Sequence, residues 1–370
     1  MKLLQPRRFH PRKAAWVLLV LAAFTLYTTY RDRPTRLWKW SGQVMGSSYT
    51  VQVVEKRFSP QAWAELQAQV DRQLQELNQE LSTWETDSTL SRFNAGTSTE
   101  PVVVSPAMAE VTRIALEVSR RSGGTFDITF SPLFDLWGFG RAGAKRQPAL
   151  AEIEQTRLRC GYQHLSVPSP TTIQKAIPDL QVVYNAIVPG FAADQVTARL
   201  RQAGYSNTYV DVGGETVVQG HNAEGRPWRL GIETPMYDAE PGASLEAVVQ
   251  VTDCALATSG DYRNYFRDES GRVFSHIFDP RTGYPATTPV GSVSVIAESG
   301  AVADALATTL FVMGPEEGIP WLAREFPQAH ALFILRESET TLREVATPGF
   351  EQATGYHPRA GVLEATSAPL

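Results

Sequence analysis

Cysteine is nearly missing from this chain of 370 residues, which carries only Cys160 and Cys254. The two have no zinc-type spacing. Cys254 sits in an apolar, strand-like run, where a buried thiol is the ordinary reading. A disulfide is permitted if the body lies outside the cytoplasm, but sequence does not bring the two sulfurs together. Also missing are a G-x-S-x-G elbow, an H-E-x-x-H helix and a phosphate-binding P-loop. Asp211-Val-Gly-Gly-Glu215 is too short for a dinucleotide fingerprint and reads as a tight turn, with Asp211 as a supporting acid. There is no internal repeat. Positive charge is scarce once the first forty residues are passed: 25 Lys and Arg stand against 38 Asp and Glu, a net of -13. An acidic body argues against nonspecific nucleic-acid binding. Apolar content of 43% and charged content of 20% are those of a globular protein, of one large or two intimate domains.

The amino terminus differs from the rest. Residues 1–40 hold nine Lys and Arg and one acid, and five of these bases precede the apolar run from Ala14 to Tyr30. The run is at the short end for a spanning helix. With no clean cleavage site and no cysteine for lipidation, it reads as an uncleaved signal anchor, with a cleaved signal peptide as the alternative. Either places residues 41 onward in the periplasm or its equivalent, and the anchor reading keeps them at the inner membrane. The division expected is anchor and linker over 1–40, a domain over 41–346, and a poorly ordered tail over 347–370.

Within the body, Ser59-Pro60 and Ser105-Pro106 are helix starts, an N-cap followed by proline in the first turn. Trp63, Leu66, Val70, Leu74, Leu77 and Leu81 then mark one buried stripe. Gly123-Gly124 closes the second helix. Further helices are expected over 191–203, from near Ala301 and from Pro315. Strand-like runs fall at 49–54, 180–183, 208–212, 228–232, 247–251, 273–278 and 291–296, and 141–148 and 168–172 read as exposed loops. Strands following one another without helices across 208–296 favour an antiparallel α+β arrangement over βαβ winding.

Polar residues concentrate in Thr258-Ser-Gly-Asp-Tyr-Arg-Asn-Tyr-Phe266, Ser275-His-Ile-Phe-Asp-Pro-Arg-Thr-Gly-Tyr-Pro285 and Ala303-Asp-Ala-Leu-Ala-Thr-Thr309. Asp304 and Thr308 stand at i and i+4, so a carboxylate and a hydroxyl share one helix face. Such hard oxygen donors suit Mg²⁺. His276 is the one histidine inside a dense polar motif, which makes it a candidate acid–base group. Three other segments carry both a ligand reading and a plain one. Met45-Gly-Ser-Ser-Tyr49 is a ligand-approach turn or a simple β-turn. Trp84 is a stacking platform or a core tryptophan. Thr125-Phe126-Asp127 and the aromatic run 132–140 face a flat ligand or fill the core.

In this order the segments resemble the ApbE-type FAD:protein FMN transferases. The likeness spans roughly 41–335. It includes Met-Gly-x-x-Tyr, Leu-Ser-x-aromatic, Ser-Arg-Phe-Asn, Gly-x-Phe-Asp, Leu-Trp-Gly-Phe-Gly, Gly-aromatic-Ala-x-Asp, Ala-Thr-Ser-Gly-Asp-Tyr, Ser-His-Ile-x-Asp-Pro-Arg-Thr-Gly and Ala-Asp-Ala-x-Ala-Thr. The resemblance implies an ApbE-like, T-fold-like α+β domain of mostly antiparallel sheets with packed helices. It implies cleavage of FAD at its pyrophosphate and transfer of FMN to a Thr or Ser hydroxyl of an acceptor protein, such as a subunit of a membrane redox complex, with release of AMP. It also implies Mg²⁺ held by Asp304, Thr308 and the Ala186 carbonyl, with His276 assisting the attacking hydroxyl. Met45, Trp84, Thr125, Phe126, Asp127 and Ile277 would line the nucleotide, together with positions 183 and 189.

Those two positions depart from the family pattern. Where the family usually reads Asp-x-Gly-x-x-x-Lys-Gly, this chain has Val183-Tyr-Asn-Ala-Ile-Val-Pro-Gly190. Val183 cannot accept a hydrogen bond, and Pro189 removes both a charge and a backbone donor. Altered nucleotide handling follows, and two alternatives stay open: FAD hydrolysis, or a catalytically silent flavin-binding or assembly protein.

Overall fold

The computed structural model describes residues 16, 19–21, 35–141, 143–238, 244–338 and 341–364. A nine-stranded sheet organises them. In chain order its strands are β1 (Arg36–Val44), β2 (Ser47–Glu55), β3 (Thr208–Val212), β4 (Glu215–Gln219), β5 (Cys254–Gly260), β6 (Val290–Ala297), β7 (His330–Arg336), β8 (Thr341–Ala346) and β9 (Val362–Glu364). They lie side by side in that same order, every neighbouring pair antiparallel. The expected antiparallel α+β arrangement is therefore observed.

Long excursions between strands supply the rest. Between β2 and β3 run α1 (Pro60–Leu81), α2 (Thr89–Ala95), α3 (Pro106–Arg121), α4 (Ser131–Leu136), α5 (Leu150–Arg157) and α6 (Val188–Gln202). Between β6 and β7 lies α7 (Gly300–Glu325), and α8 (Phe350–Thr354) follows β8. A hairpin of Trp228–Glu233 with Leu245–Val251 stands between β4 and β5. The sheet thus has two covered faces. Val51, Val53, Val293 and Val295 point to the helices, while Val218, Leu256, Ile296 and Leu332 pack on the hairpin. That is why all eight residues of β6 are buried.

The helix signals in the sequence act as read. Ser59 accepts from the Ala62 amide at 3.0 Å and Ser105 from Met108 at 3.1 Å, each with proline in the first turn. α7 is interrupted by one non-helical residue, Gly314, at φ 69°, ahead of Pro315, so it consists of the two expected helices joined at a kink.

Several expectations are corrected. Residues 180–183 form no strand beyond a single bridge from Gln181 to Phe130. The supposed loop at 168–172 is the turn of a hairpin, Leu165–Ser169 with Thr172–Lys175. β1 starts at Arg36, inside the span assigned to anchor and linker. The tail expected to be disordered contains α8, whose Phe350 is fully buried against the outer hairpin side of the sheet. Both cysteines are free thiols, which is the ordinary reading of the sequence and not a correction. Most of the expected anchor lies outside the described residues; among those described, no helix is long and apolar enough to cross a membrane.

Candidate functional site

The site is built where α6 meets α7. Asp194 on α6 caps the start of α7: one carboxylate oxygen accepts from the Gly300 amide at 2.7 Å, the other from Ala301 at 2.9 Å and from the Ser299 hydroxyl at 2.7 Å. The helices touch through glycine. A Cβ on Gly190 would run into the Gly300 carbonyl, and one on Gly300 into the Gly190 carbonyl. This approach puts the Gly190 amide 3.2 Å from Asp304 Oδ2. One turn later on α7, Thr308 Oγ1 lies 3.0 Å from the Ser259 hydroxyl at the end of β5.

The loop ahead of α6 is held without a strand ladder. Asn94, at the end of the Ser-Arg-Phe-Asn motif, brackets Val182 by donating to its carbonyl and accepting from its amide, both at 2.8 Å. The Val183 amide donates to the Ile128 carbonyl at 2.8 Å. Tyr184 is fully buried, its hydroxyl 2.6 Å from Thr112 Oγ1. Val183, Asn185 and Ala186 are thereby fixed beside the Thr125–Ile128 segment.

These pieces enclose a cavity of about 260 Å³ lined by Thr125, Phe126, Asp127, Val183, Ala186, Pro189, His276, Ile277, Asp304 and Thr308, with Glu215, Thr258, Ser259, Tyr262 and Arg263. Ten of the twelve residues singled out from the sequence therefore share one wall-to-wall site. Trp84 and Met45 do not line it. They line a recess of about 120 Å³ that shares Asn185 and Pro189 with the cavity. Trp84 also borders a third recess of about 300 Å³ that shares Phe134 and Val183. Trp84 is 54% exposed, so it is not a core residue. Met45 takes a left-handed backbone, φ 54°, in the tight β1–β2 turn.

The electrostatics are those of a cation-seeking site. Asp304 is buried, and loss of water pushes its carboxyl up to about 7 against the opposing Gly190 hydrogen bond. Glu215, after the Gly213-Gly214 turn, is raised well above the usual carboxylate range by burial and then by the nearby charge of Asp304. It accepts from the Thr258 amide at 3.1 Å. Among the described residues neither acid forms an ion pair, and each is met by one backbone amide, Gly190 for Asp304 and Thr258 for Glu215. Asp127 differs. Its carboxylate accepts from the Thr129 amide and hydroxyl, both at 2.7 Å, and from the Tyr162 amide at 2.8 Å. It shapes the wall and has few lone pairs left for a ligand.

His276 links two short strands, Val273–Ser275 and Phe278–Asp279. Its Nδ1 is 3.0 Å from the Asn264 carbonyl. A carbonyl only accepts, so Nδ1 carries the hydrogen and Nε2 keeps its lone pair. Burial pushes the imidazole below its usual value, with help from the Lys145 charge. The neutral ring is a base, held in one tautomer.

Sequence reading passed over Glu215, Ser259 and Arg263 as individual site residues. Glu215 carried a signal: an acid directly after Gly-Gly at the head of the apolar run Thr216–Val218. Asp211, read as a supporting acid, accepts from Thr216 Oγ1 at 2.9 Å and borders an adjoining groove with Glu215.

Known proteins share this architecture. The ApbE family model matches residues 45–333. A Vibrio cholerae protein named FAD:protein FMN transferase is 37% identical over 334 residues, covering 90% of this chain and 97% of its own. One of the same name from Escherichia coli K12 is 33% identical over 345 residues, covering 90% and 95%. The solved flavin transferase ApbE from Vibrio cholerae superposes with a TM-score of 0.77 at 36% identity, covering 86% of this chain and all of that one. The apo flavinyl transferase ApbE from Pseudomonas stutzeri superposes with 0.78 at 34% identity, covering 88% and 98%. With its model matched over most of the length and its site residues gathered in one cavity, this chain belongs to the ApbE family.

Proposed function

We propose that this chain is an FAD:protein FMN transferase that moves FMN from FAD to a Thr or Ser hydroxyl of an acceptor protein, releases AMP and depends on Mg²⁺. The observation that carries the reading is the convergence of His276, Asp304 and Thr308 on one cavity, in a chain whose relatives bear that name.

The donor set fits the metal. Asp304, Thr308 and the Ala186 carbonyl offer only hard oxygens, and Asp304 and Glu215 are pressed together without a cationic side chain on either. Bound there, Mg²⁺ would supply Lewis-acid neutralisation of pyrophosphate charge. The protein's own groups do the rest. His276 Nε2 takes the proton of the acceptor hydroxyl while Nδ1–H stays on the Asn264 carbonyl. The hydroxyl oxygen forms a bond to the FMN phosphorus, the bond from that phosphorus to the bridging oxygen breaks, and AMP leaves with the oxygen. The narrow, largely buried cavity limits water as a competing nucleophile.

The anchor and an extracytoplasmic body belong to the same proposal, with a membrane redox subunit as acceptor; a protease-accessibility assay on intact and lysed cells tests the topology. Val183 and Pro189, uncharged in the cavity wall, favour a second reading, a flavin binder that does not transfer. Mass spectrometry of a Thr-containing acceptor peptide incubated with the chain, FAD and MgCl₂ separates the two. Covalent FMN on the peptide supports transfer, free FMN indicates hydrolysis, and intact bound FAD indicates the silent binder.

A further inference from the structure

We infer that Lys145 is a positioning residue for His276: from a surface loop it grips Asn264, and so steadies the carbonyl from which the His276 ring hangs. The consequence for turnover rests on the flavin-transfer reading; the effect on the ring does not.

His276 is tied twice to one residue. Its amide and its Nδ1 both meet the Asn264 carbonyl, each at 3.0 Å. A shift of that carbonyl therefore turns the ring and moves Nε2 within the cavity. Asn264 stands just ahead of a short ladder, Tyr265–Arg267 with Val273–Ser275, which has only three residue pairs. Lys145 adds a tie from a separate part of the chain. Its Nζ donates to Asn264 Oδ1 at 2.7 Å and to the Tyr265 carbonyl at 3.2 Å.

The loop is built to deliver this lysine. Gly138 has φ 82°, and a Cβ there would run into the Ala144 carbonyl, so the chain folds back on itself more closely than a side chain would allow. Beyond it, the Arg146 amide donates to the Trp137 carbonyl at 3.4 Å, and the Arg146 guanidinium forks onto Glu152 at 2.9 and 2.7 Å. Between these anchors Lys145 Nζ stands over the Phe139 ring, 5.1 Å from its centroid. Lys145 does not line the cavity itself.

The charges around the ring give the lysine a second effect. Lys145 and Asp261 bear on the imidazole in opposite directions. Asp261 is answered by Arg336, at 3.0 and 3.1 Å, whereas the hydrogen-bond partners of Lys145 are neutral. Across the cavity stand Arg263, which is paired with Glu233, and Asp127, Glu215 and Asp304, whose carboxyl groups burial holds above their usual range. Asp279, on the strand that follows the ring, is bonded to Arg281. Lys145 thus favours the neutral ring, and removing its charge lets His276 take a proton at higher pH.

The test reads the ring directly. The purified full chain, its histidine nitrogens labelled for NMR, is titrated in EDTA, and His276→Gln identifies the signals of His276. Lys145→Met should move the His276 titration to higher pH and weaken the preference for hydrogen on Nδ1. Lys145→Arg, which keeps the charge and the donors, should hold both near the parent. Asn264→Ala keeps the backbone carbonyl but loses the grip on Lys145. It should act as Lys145→Met does, and the double variant should go little further. In the transfer assay Lys145→Met should lower kcat about tenfold near pH 6 with FAD affinity within about twofold, as loss of orientation and of the base form requires. A ring with unchanged titration and tautomer in Lys145→Met overturns the inference. So does weaker FAD binding with the ring unmoved, since the lysine would then serve the nucleotide. The expected NMR changes in a chain that transfers no FMN leave the positioning standing and sink the transferase reading.

Discussion

The Gly190 amide reaches Asp304 Oδ2 at 3.2 Å across a helix contact that only two glycines permit. Neither Gly190 nor Gly300 has a positive φ; what the contact needs is the missing side chain, not a special backbone conformation. Gly190→Ala should push α6 away from α7, destabilise the fold by about 1–3 kcal/mol as overpacked cores do, and weaken Mg²⁺ binding by displacing Asp304. Thermal unfolding and isothermal titration with MgCl₂ check the two effects. An unchanged melting temperature would show that the helices can separate at no cost.

Asp304 makes metal-free stability depend on pH in a direction opposite to that of most carboxylates. Its folded pKa, about 7, lies above its ordinary 3.8. The native state thus holds this proton more tightly than the unfolded state, and its contribution is present below about 4 and lost as pH rises through about 7. Asp304→Asn keeps the shape and a carbonyl for the Gly190 amide without the charge. In EDTA at pH 8 it should melt several degrees above the parent, and at pH 4 the difference should vanish. Mg²⁺ should stabilise the parent at pH 8 and leave the variant unmoved. Calorimetry across the pH range with and without MgCl₂ decides this. A variant less stable than the parent at pH 8 would mean that the ionised carboxylate is already compensated.

Much of this arrangement was legible in sequence, and the gaps have physical causes. Proline after serine sets φ and the cap together, so the starts of α1 and α3 could be read locally. The i,i+4 spacing fixed Asp304 and Thr308 on one face wherever the helix lay. Val182-Val183 looked like a strand because β-branched residues favour one, but the partner is the Asn94 side chain, distant in sequence. Phe350 was unreadable for the same reason. Its burial depends on a sheet face and hairpin that join nearby Leu332 and Leu342 to Val218, Trp228 and Val249, about a hundred or more positions away. Glu215 is an acid whose carboxylate meets Asp304 only after β4 and α7 have packed.

His276→Ala should lower transfer by about 10²–10⁴-fold while leaving FAD affinity within about twofold, since the ring is assigned to proton removal. With burial holding its pKa below 6.5, the neutral base persists to lower pH than an ordinary histidine. At saturating Mg²⁺ the acid limb of kcat due to this group should therefore lie below about 6.5 and disappear in the variant. Added imidazole should restore part of the rate. A large loss of FAD binding with unchanged kcat would reassign His276 to positioning the nucleotide.

Trp84 separates affinity from stability. It stands beyond the end of α1, 54% exposed, on the rim of two recesses that open from the cavity through Val183 and Pro189. An exposed indole adds little to the fold, so Trp84→Ala should leave the melting temperature within a degree or so of the parent, as surface substitutions do. Its face is nevertheless available to a planar ring. Stacking of that kind is worth about 0.5–1.5 kcal/mol, or about two- to tenfold in affinity. Trp84→Ala should weaken FAD and riboflavin alike, because the ring is common to both, and Trp84→Phe should recover part of the loss. AMP, which has no flavin, supplies the control. If the alanine variant weakened AMP but not riboflavin, the adenine would be the ring against Trp84, and the dinucleotide would lie in the groove with its ends exchanged.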